Sequence, residues 1–393
     1  MTSPNKILIV DDEPLLKSII LQKFKNQIKS KEMVFVFANN GVEALERLKE
    51  DLEIGVIFTD INMPEMDGLV LLGNLMQQNR LYRTVVVSAY SDLTNIRTAM
   101  NRGASDFITK PVNLNDLEIT LTKTLDQFLA LKKGAVAQRQ MLEMQNELKI
   151  ASNIQRAFIP HDFNPFPNNH KLIILGEMIP AKEVGGDFFD FFPINPTNLG
   201  MIMADVSGKG VPAALFMAMC RALLRATALS TASTSECLRH VNHLLCADND
   251  SCMFVTTFYA ILDIETGLLR YCNGGHNPPY LLGSDGALTQ FGRAEGIALG
   301  AYDDFSASVS QYVEKTLQLK KDDTLILYTD GVTEATNRQN ELYDERRLEE
   351  FLKKCANKPL PQIIQDLKDD IKAFIGDAEQ SDDITLLLLR YCP

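Results

Sequence analysis

The stretch "ADVSGKGVPAAL" (204–215) sets an aspartate, Asp205, in front of a Gly-Lys-Gly turn. Two chemistries compete for it. A nucleotide-cradling loop needs two glycines about four residues apart, then Lys and Ser/Thr at the start of a helix. Here Lys209 is followed by Gly210, Val211 and Pro212, so no hydroxyl stands where a nucleotide's magnesium would need it. That reading fails. What remains is an aspartate at a strand end, a tight glycine turn, and a helix whose Pro212 suits its first turn. Other acids share this placement: Asp187 in "EVGGDFFD", Asp330 at the end of "LILYTDG", and the pair Asp382-Asp383 ahead of "ITLLLL". Singly, Asp-Gly at a strand end is an ordinary turn. Several together, with no matching set of cysteines or histidines, point to hard metal ions with oxygen ligands. Two such ions about 3.5–4 Å apart can bridge a water, lower its pKa and aim it in line at phosphorus.

A second constellation lies nearer the N-terminus. Asp11 and Asp12 follow one apolar run, Asp60 ends another, Ser88 ends a third and Lys110-Pro111 ends a fourth. If those runs are strands of one parallel sheet, the residues converge on its carboxyl edge. Three carboxylates gathered there repel one another and stay ionised together only beside a divalent cation or a lysine. An oxygen-only cluster suits Mg²⁺.

The elements that must position these residues are legible in the apolar pattern. "KILIV" (6–10), "MVFVFA" (33–38), "GVIFT" (55–59), "TVVVS" (84–88) and "DFIT" (106–109) alternate with amphipathic stretches, which predicts a doubly wound, five-stranded parallel α/β sheet. Residues 113–158 read as one continuous helix. Leu114, Leu117, Leu121, Phe128, Leu131, Ala135 and Leu142 form a stripe on it, with Thr124 and Gln138 at two of the repeat's places. That stripe predicts a coiled coil and hence a homodimer; the alternative is a helix packed on its own domain. Gly134 is a weak point in it. "PHDFNPFPNNH" (160–170) reads as a break. Beyond it, clustered strands with helices over 211–229, 234–247, 345–356 and 360–375 predict an α+β fold.

At 393 residues the chain is long enough for two or three domains. Its net charge of -12 argues against a general grip on nucleic acid or anionic membrane. The seven cysteines form no CxxC pair, and their odd number suits a reducing compartment better than a disulfide framework. The N-terminus has no apolar run of signal-peptide length, so the expected location is cytoplasmic.

The motifs "ILIVDDEP", "FTDINMPEMDG", "VVVSAY" and "GASDFITKP" resemble the receiver domain of bacterial response regulators over residues 1–124. The resemblance implies a flavodoxin-like fold in which Asp60 takes a phosphoryl group from a sensor histidine kinase. Mg²⁺ would be held by Asp12, Asp60 and the Asn62 carbonyl, with Asp11 in support. Lys110 and the Ser88 hydroxyl would contact the phosphoryl oxygens, and Phe107 would be the aromatic that changes rotamer.

"ELKIASNIQRAFIP", "IPAKEVGGDFFDFF", "DVSGKGVPAAL", "FVTTFYAILD", "GGHNPPYLL", "EGIALG" and "LYTDGVTEATN" resemble PPM-type metal-dependent serine/threonine phosphatases of the SpoIIE/RsbU branch. The implied fold is a β-sandwich flanked by helices over 159–393, joined to the receiver by a helical linker over 125–158. The resemblance implies that Asp205 bridges two Mn²⁺ or Mg²⁺ ions, with the Val206 carbonyl as a further ligand. Asp330 and Asp382 would hold one ion and Asp187 would support the other, with Asp383 the adjacent alternative to Asp382. Glu334 would tune the site from behind. Lys209 departs from the His that many relatives carry between the two glycines, which leaves the leaving-group proton to water or another acid. His276 in its Gly/Pro-rich turn reads as structural and stays outside the catalytic set.

The expected function is a response regulator whose Asp60 phosphorylation controls a protein serine/threonine phosphatase, through a linker helix that switches the metal site. The branch implies a phosphorylated anti-sigma-factor antagonist as substrate. The competing expectation is a non-catalytic adaptor, which would have no use for the retained Asp187, Asp205, Asp330 and Asp382. A DNA-reading output finds no basic helix-turn-helix segment.

Overall fold

The computed structural model describes residues 4–78, 80–89, 92–167, 170–247, 249–302 and 312–393. Asn168 and Asn169 of the expected break, and Tyr90 of "VVVSAY", lie outside the described residues. The chain divides into two compact units, residues 1–144 and 145–393.

The first unit carries strands β1 (Asn5–Val10), β2 (Met33–Ala38), β3 (Ile54–Asp60), β4 (Arg83–Ala89) and β5 (Asp106–Lys110). All pair in parallel in the order β2-β1-β3-β4-β5, the doubly wound arrangement expected from sequence. Between them run α1 (Pro14–Lys23), α2 (Lys25–Lys29), α3 (Gly41–Glu50), α4 (Gly68–Gln77) and α5 (Leu93–Asn101). The Asn40 and Asp67 side chains cap α3 and α4. Strand β3 is buried on both faces, as a central parallel strand must be, so it reads as a continuous apolar run rather than an alternating one.

Helix α6 (Leu114–Phe158) is unbroken over 45 residues and runs through Gly134. Leu117, Leu121 and Leu125 are buried in the first unit's core, with Phe128 packed against them. The early part of the stripe therefore covers the helix's own sheet and does not form a coiled coil. Farther along, Met141, Leu142, Ile150 and Ile154 are exposed.

The second unit holds two antiparallel sheets. One contains β7 (Phe188–Pro193), β8 (Asn198–Val206), β9 (Val255–Asp263), β10 (Leu268–Gly274) and β13 (Lys315–Gln318), in the order β13-β10-β9-β8-β7. The other contains β6 (Leu172–Ile179), β11 (Tyr280–Leu282), β12 (Leu288–Gln290), β14 (Thr324–Tyr328) and β15 (Ile384–Tyr391), in the order β12-β11-β14-β15-β6. Alternate residues divide the faces. Leu199, Met201 and Met203 of β8 meet Leu325, Leu327, Leu387 and Leu389 between the sheets. Ile202, Ala204 and Val206 face α7 (Val211–Ala228) and α8 (Thr234–Ala247). Helices α10 (Asp344–Leu352) and α11 (Leu360–Ile375) cover the other sheet, and the single turn α9 (Asp330–Thr333) follows β14. The result is a four-layer helix–sheet–sheet–helix sandwich. Helix α10 ends at Leu352 rather than at 356 as the sequence suggested, because the chain turns there, with Asn357 at a left-handed φ of 67°, to start α11 at Leu360. Helix α7 is apolar and long enough by composition to cross a membrane, but its Met217, Cys220 and Leu224 are core residues of the sandwich.

Gly55 of β3 shows how closely α6 docks in the first unit: a Cβ there would lie 1.9 Å from the Phe128 ring. Gly55→Ala is expected to displace the ring and lower stability by about 1–3 kcal/mol, the usual cost of overpacking, measured as a lower urea midpoint. Phe128→Ala in the same chain should remove that additional loss.

Candidate functional site

Both constellations form at strand ends. In the first unit, carboxylate oxygens of Asp11, Asp12 and Asp60 lie within 4.8 Å of one another; among the described residues no other three acids approach so closely. Asp11 and Asp60 are buried and Asp12 is exposed. The Lys110 ammonium lies 2.7 Å from Asp60 Oδ2, 3.1 Å from Asp11 Oδ2 and 3.3 Å from Glu13 Oε1. Burial alone would lower its pKa, but hydrogen bonds to Asp60 and Asp11 outweigh that and leave it raised. Asp11 is itself pushed up, by burial first. Ser88 is buried and its hydroxyl has no hydrogen-bond partner, an orphaned donor one place beyond Val87, which pairs with Asp60. The Asn62 N–H faces Asp60 Oδ1 at 3.4 Å, and Phe107 is exposed on β5. Gly68 is obligatory here, since a Cβ would meet the Asp60 carbonyl at 2.1 Å. The sequence-predicted set is thus assembled around Asp60, with Phe107 outside the contacts of the acid cluster.

In the second unit the start of β7, the end of β8, the end of β14 and the start of β15 bring Asp187, Asp205, Asp330, Asp382 and Asp383 to one end of the sandwich. Their roles diverge. Asp383 is buried, accepting from Ala181 N–H at Oδ1 (2.8 Å) and from Gly186 N–H at Oδ2 (2.7 Å). Both of its oxygens are committed to the backbone of the double-glycine turn. A Cβ on Gly185 would sit 2.3 Å from Asp383 Oδ2, which explains the glycine, and one on Gly331 would sit 1.9 Å from the Asp383 carbonyl. Asp382, the neighbour left open by sequence, instead carries its Oδ2 2.8 Å from Lys209 Nζ.

Asp187 is buried and accepts from the Thr329 hydroxyl at 2.6 Å. Its carboxyl is pushed well up by burial and by the charges of Asp205 and Asp383. Asp205 is pushed up by burial and by Asp330. Asp330 rises to about 6, through burial and the nearby charges of Glu334 and Asp382. Glu334, exposed at the end of α9, therefore acts on Asp330 through its charge. The Val206 carbonyl lies beside Gly186, 3.0 Å from where a Cβ would stand. This is an all-oxygen donor set whose negative charge Lys209 offsets only in part, the chemistry that fits Mg²⁺ or Mn²⁺.

His276 is buried and fully engaged. Its Nε2 faces the Tyr328 carbonyl at 3.1 Å, which can only accept, so Nδ1 accepts from the Thr256 hydroxyl at 2.8 Å. Burial lowers its pKa to about 4. A neutral, doubly bonded imidazole ties β9 to β14, with its one ring proton engaged by the Tyr328 carbonyl.

Three contributors were missed by sequence reasoning. Thr329 directly precedes Asp330, and its position in "YTDG" was the available signal. Asp190 is fully buried, paired with Arg225 (2.9 and 3.0 Å) and Arg221 (3.0 Å), two arginines one helical turn apart that anchor α7 to β7. Gln155, near the end of α6, donates from Nε2 to the Gly185 carbonyl (2.6 Å) and accepts from the Gly185 N–H (3.0 Å). No local pattern announces that amide pair.

The family described as Stage II sporulation protein E (SpoIIE) matches residues 195–391, and the response regulator receiver domain matches residues 7–122. Protein IcfG of Synechocystis sp. is 30% identical over 269 residues, 61% of this chain and 41% of that protein. Phosphoserine phosphatase RsbU of Bacillus subtilis is 27% identical over 248 residues, 63% of this chain and 71% of its own length. This chain therefore spans about two fifths of the first relative and most of the second. Among solved structures, the SiaA-PP2C domain of Pseudomonas aeruginosa superposes with a TM-score of 0.56 at 23% identity, covering 64% of this chain and 98% of that one, a likeness of fold.

Two outcomes follow from the geometry. His276→Ala orphans the Tyr328 carbonyl and should cost on the order of 3 kcal/mol in urea unfolding. In chelator, stability should fall as pH rises from about 4 past 6, because Asp330 binds its proton more tightly folded than its ordinary value of 3.8 implies for the unfolded chain. Asp330→Asn should flatten that slope in melting curves recorded between pH 4 and 7.

Proposed function

The chain belongs to the SpoIIE family, and from that premise we propose that it is a metal-dependent protein serine/threonine phosphatase controlled by phosphorylation of Asp60 in its receiver domain. The observation that carries the reading is the set Asp187, Asp205 and Asp330, carboxyls that burial first and neighbouring acids second push upward and that a divalent cation would neutralise. In this reading Asp187, Asp205, Asp330, Asp382 and the Val206 carbonyl would hold two Mn²⁺ or Mg²⁺ ions, while Asp383 shapes the turn that presents Asp187. Such ions supply Lewis acidity and a water acidic enough to lose a proton near neutral pH. The chain's own residues orient and fix: Thr329 holds the Asp187 carboxyl, and the Asp190–Arg225 pair holds α7 behind the Gly-Lys-Gly turn. His276, neutral and engaged, organises strands rather than protonating a leaving group.

In the receiver, Asp60 acts as carboxylate nucleophile toward a phosphoryl group from a sensor histidine kinase. Mg²⁺ would be held by Asp12, Asp60 and the Asn62 carbonyl, with Asp11 in support. Lys110 already pairs with Asp60 and would follow the added charge, and the partnerless Ser88 hydroxyl donates to a phosphoryl oxygen. Phe107 is the aromatic whose rotamer reports that change. We assign the receiver to 1–124, a helical linker to 125–158 and the phosphatase domain to 159–393. The linker's route to the chemistry is Gln155, which grips the turn two residues before Asp187 with both ends of its amide. Met141, Leu142, Ile150 and Ile154 are among the exposed apolar residues of α6 and suit a second copy of this helix, hence a homodimer. The phosphoserine phosphatase RsbU, as a relative, supports a phosphoserine substrate, and the resemblance to that branch implies that an anti-sigma-factor antagonist carries it. We place the protein in the cytoplasm, with no direct nucleic-acid or membrane contact.

The test is hydrolysis of an aryl phosphate with Mn²⁺, with and without beryllofluoride on Asp60. Asp205→Asn should lower the rate more than about 100-fold, the upper end of what losing a merely supporting residue costs. The wild-type rate should change with beryllofluoride, and Gln155→Ala should shrink the ratio between the two states. A rate indifferent to Asp205 would exclude the catalytic reading and favour the adaptor.

A further inference from the structure

Lys209 sits on a turn whose backbone conformation glycine sets. The glycines on either side of it have φ of 86° and 76°, a left-handed conformation that admits few other residues. Immediately beyond it α7 is pinned to β7 through Arg221, Arg225 and Asp190. From this turn the side chain reaches across to β15's approach, where its ammonium lies 2.8 Å from Asp382 Oδ2 and also donates to the Ser381 carbonyl. Among the acids, Asp383 is satisfied by backbone N–H groups and Asp187 accepts from Thr329, both neutral donors compatible with a nearby cation. Asp382 is different: its partner carries a full positive charge. An oxygen that holds an ammonium is not open to a divalent ion, and the two cations repel at any shared position.

We propose that Lys209 is an internal competitor for the divalent cation at Asp382, an ammonium that neutralises the site when empty and must swing away for the ion to bind. The inference rests on the reading of Asp382 as a metal ligand. Room for the swing exists, since the Lys209 side chain is 43% exposed and that of Asp382 31%. The lysine thereby sets a threshold: the acids take up a divalent ion only above a concentration higher than the same acids would need alone. It also limits the repulsion among them when the ion is absent, since its charge acts on Asp330 as well as on Asp382.

The experiment is titration of the full-length, cation-stripped protein with Mn²⁺ alone by isothermal calorimetry, in an Asp12→Asn background that disables the receiver's own acid cluster. Lys209→Met keeps the length of the side chain and removes its charge. It should bind Mn²⁺ roughly tenfold tighter than its Lys209 parent, the scale of a partly exposed charge acting on a divalent ion. Lys209→Arg, which keeps the charge, should stay within about threefold of the parent. In chelator Lys209→Met should melt below the parent, and in saturating Mn²⁺ at or above it. Equal or weaker Mn²⁺ binding by Lys209→Met overturns the proposal. Asp382→Asn separates the two levels: weaker binding there with no effect of Lys209→Met sinks the competition alone, whereas binding unchanged in Asp382→Asn sinks the metal role of Asp382 and the competition with it.

Discussion

The second unit's site depends on the backbone cradle around Asp383. A buried carboxyl needs hydrogen-bond donors, and this one finds them in the N–H groups of Ala181 and Gly186, on the turn between β6 and β7. That contact draws the double-glycine turn against the start of β15 so tightly that neither Gly185 nor Gly331 can carry a side chain. Two sheets packed face to face could slide along their interface while keeping their apolar contacts. The Asp383 cradle and the His276 bridge from Thr256 to Tyr328 set their alignment at the end where the acids gather. Asp187, Asp205 and Asp330 then gather at one end of the sandwich, where burial first and neighbouring acids second raise their pKa values. A polar frame of neutral donors around charged acids is what allows the acids to remain available to a cation.

The same frame explains why Gln155 matters. Gly185 is held from one side by Gln155 and its neighbour Gly186 from the other by Asp383. Any shift of the end of α6 is felt at the residue two places before Asp187. Side-chain amide pairs of this kind form or break as a unit, because both bonds share one rotamer. The arrangement is therefore suited to two states rather than to a graded response.

Much of this was legible in the sequence. Strand ends followed by Asp, the glycine spacing and the five apolar runs led to the correct sheet types and to both acid sets. The distinction between Asp382 and Asp383 was not legible, because adjacent residues at a strand start differ only in which face they take, and that depends on the turn across from them. The stripe on α6 was read as a coiled coil, yet Leu117, Leu121 and Phe128 serve the receiver's own core. An apolar stripe announces that a face is covered without saying by what. Thr329, Asp190 and Gln155 act through partners 142, 35 and 30 residues away in sequence, beyond any local pattern.

The two acid clusters solve one electrostatic problem in related ways. In the first unit Lys110 stands between Asp60 and Asp11, and burial fails to discharge it because the carboxylates hold its proton. In the second unit Lys209 stands against Asp382 at the margin of a more buried group. The difference lies in solvent access and in what the lysine is attached to. Lys110 ends a core strand, its side chain is 22% exposed, and it pairs with two acids and Glu13 at once, so it can follow charge placed on Asp60 without leaving. Lys209 hangs from a glycine turn, pairs with one carboxylate and is about twice as exposed, so it can leave. A lysine built to stay suits a site where charge is added to an acid. A lysine built to depart suits a site where a stronger cation must take its place.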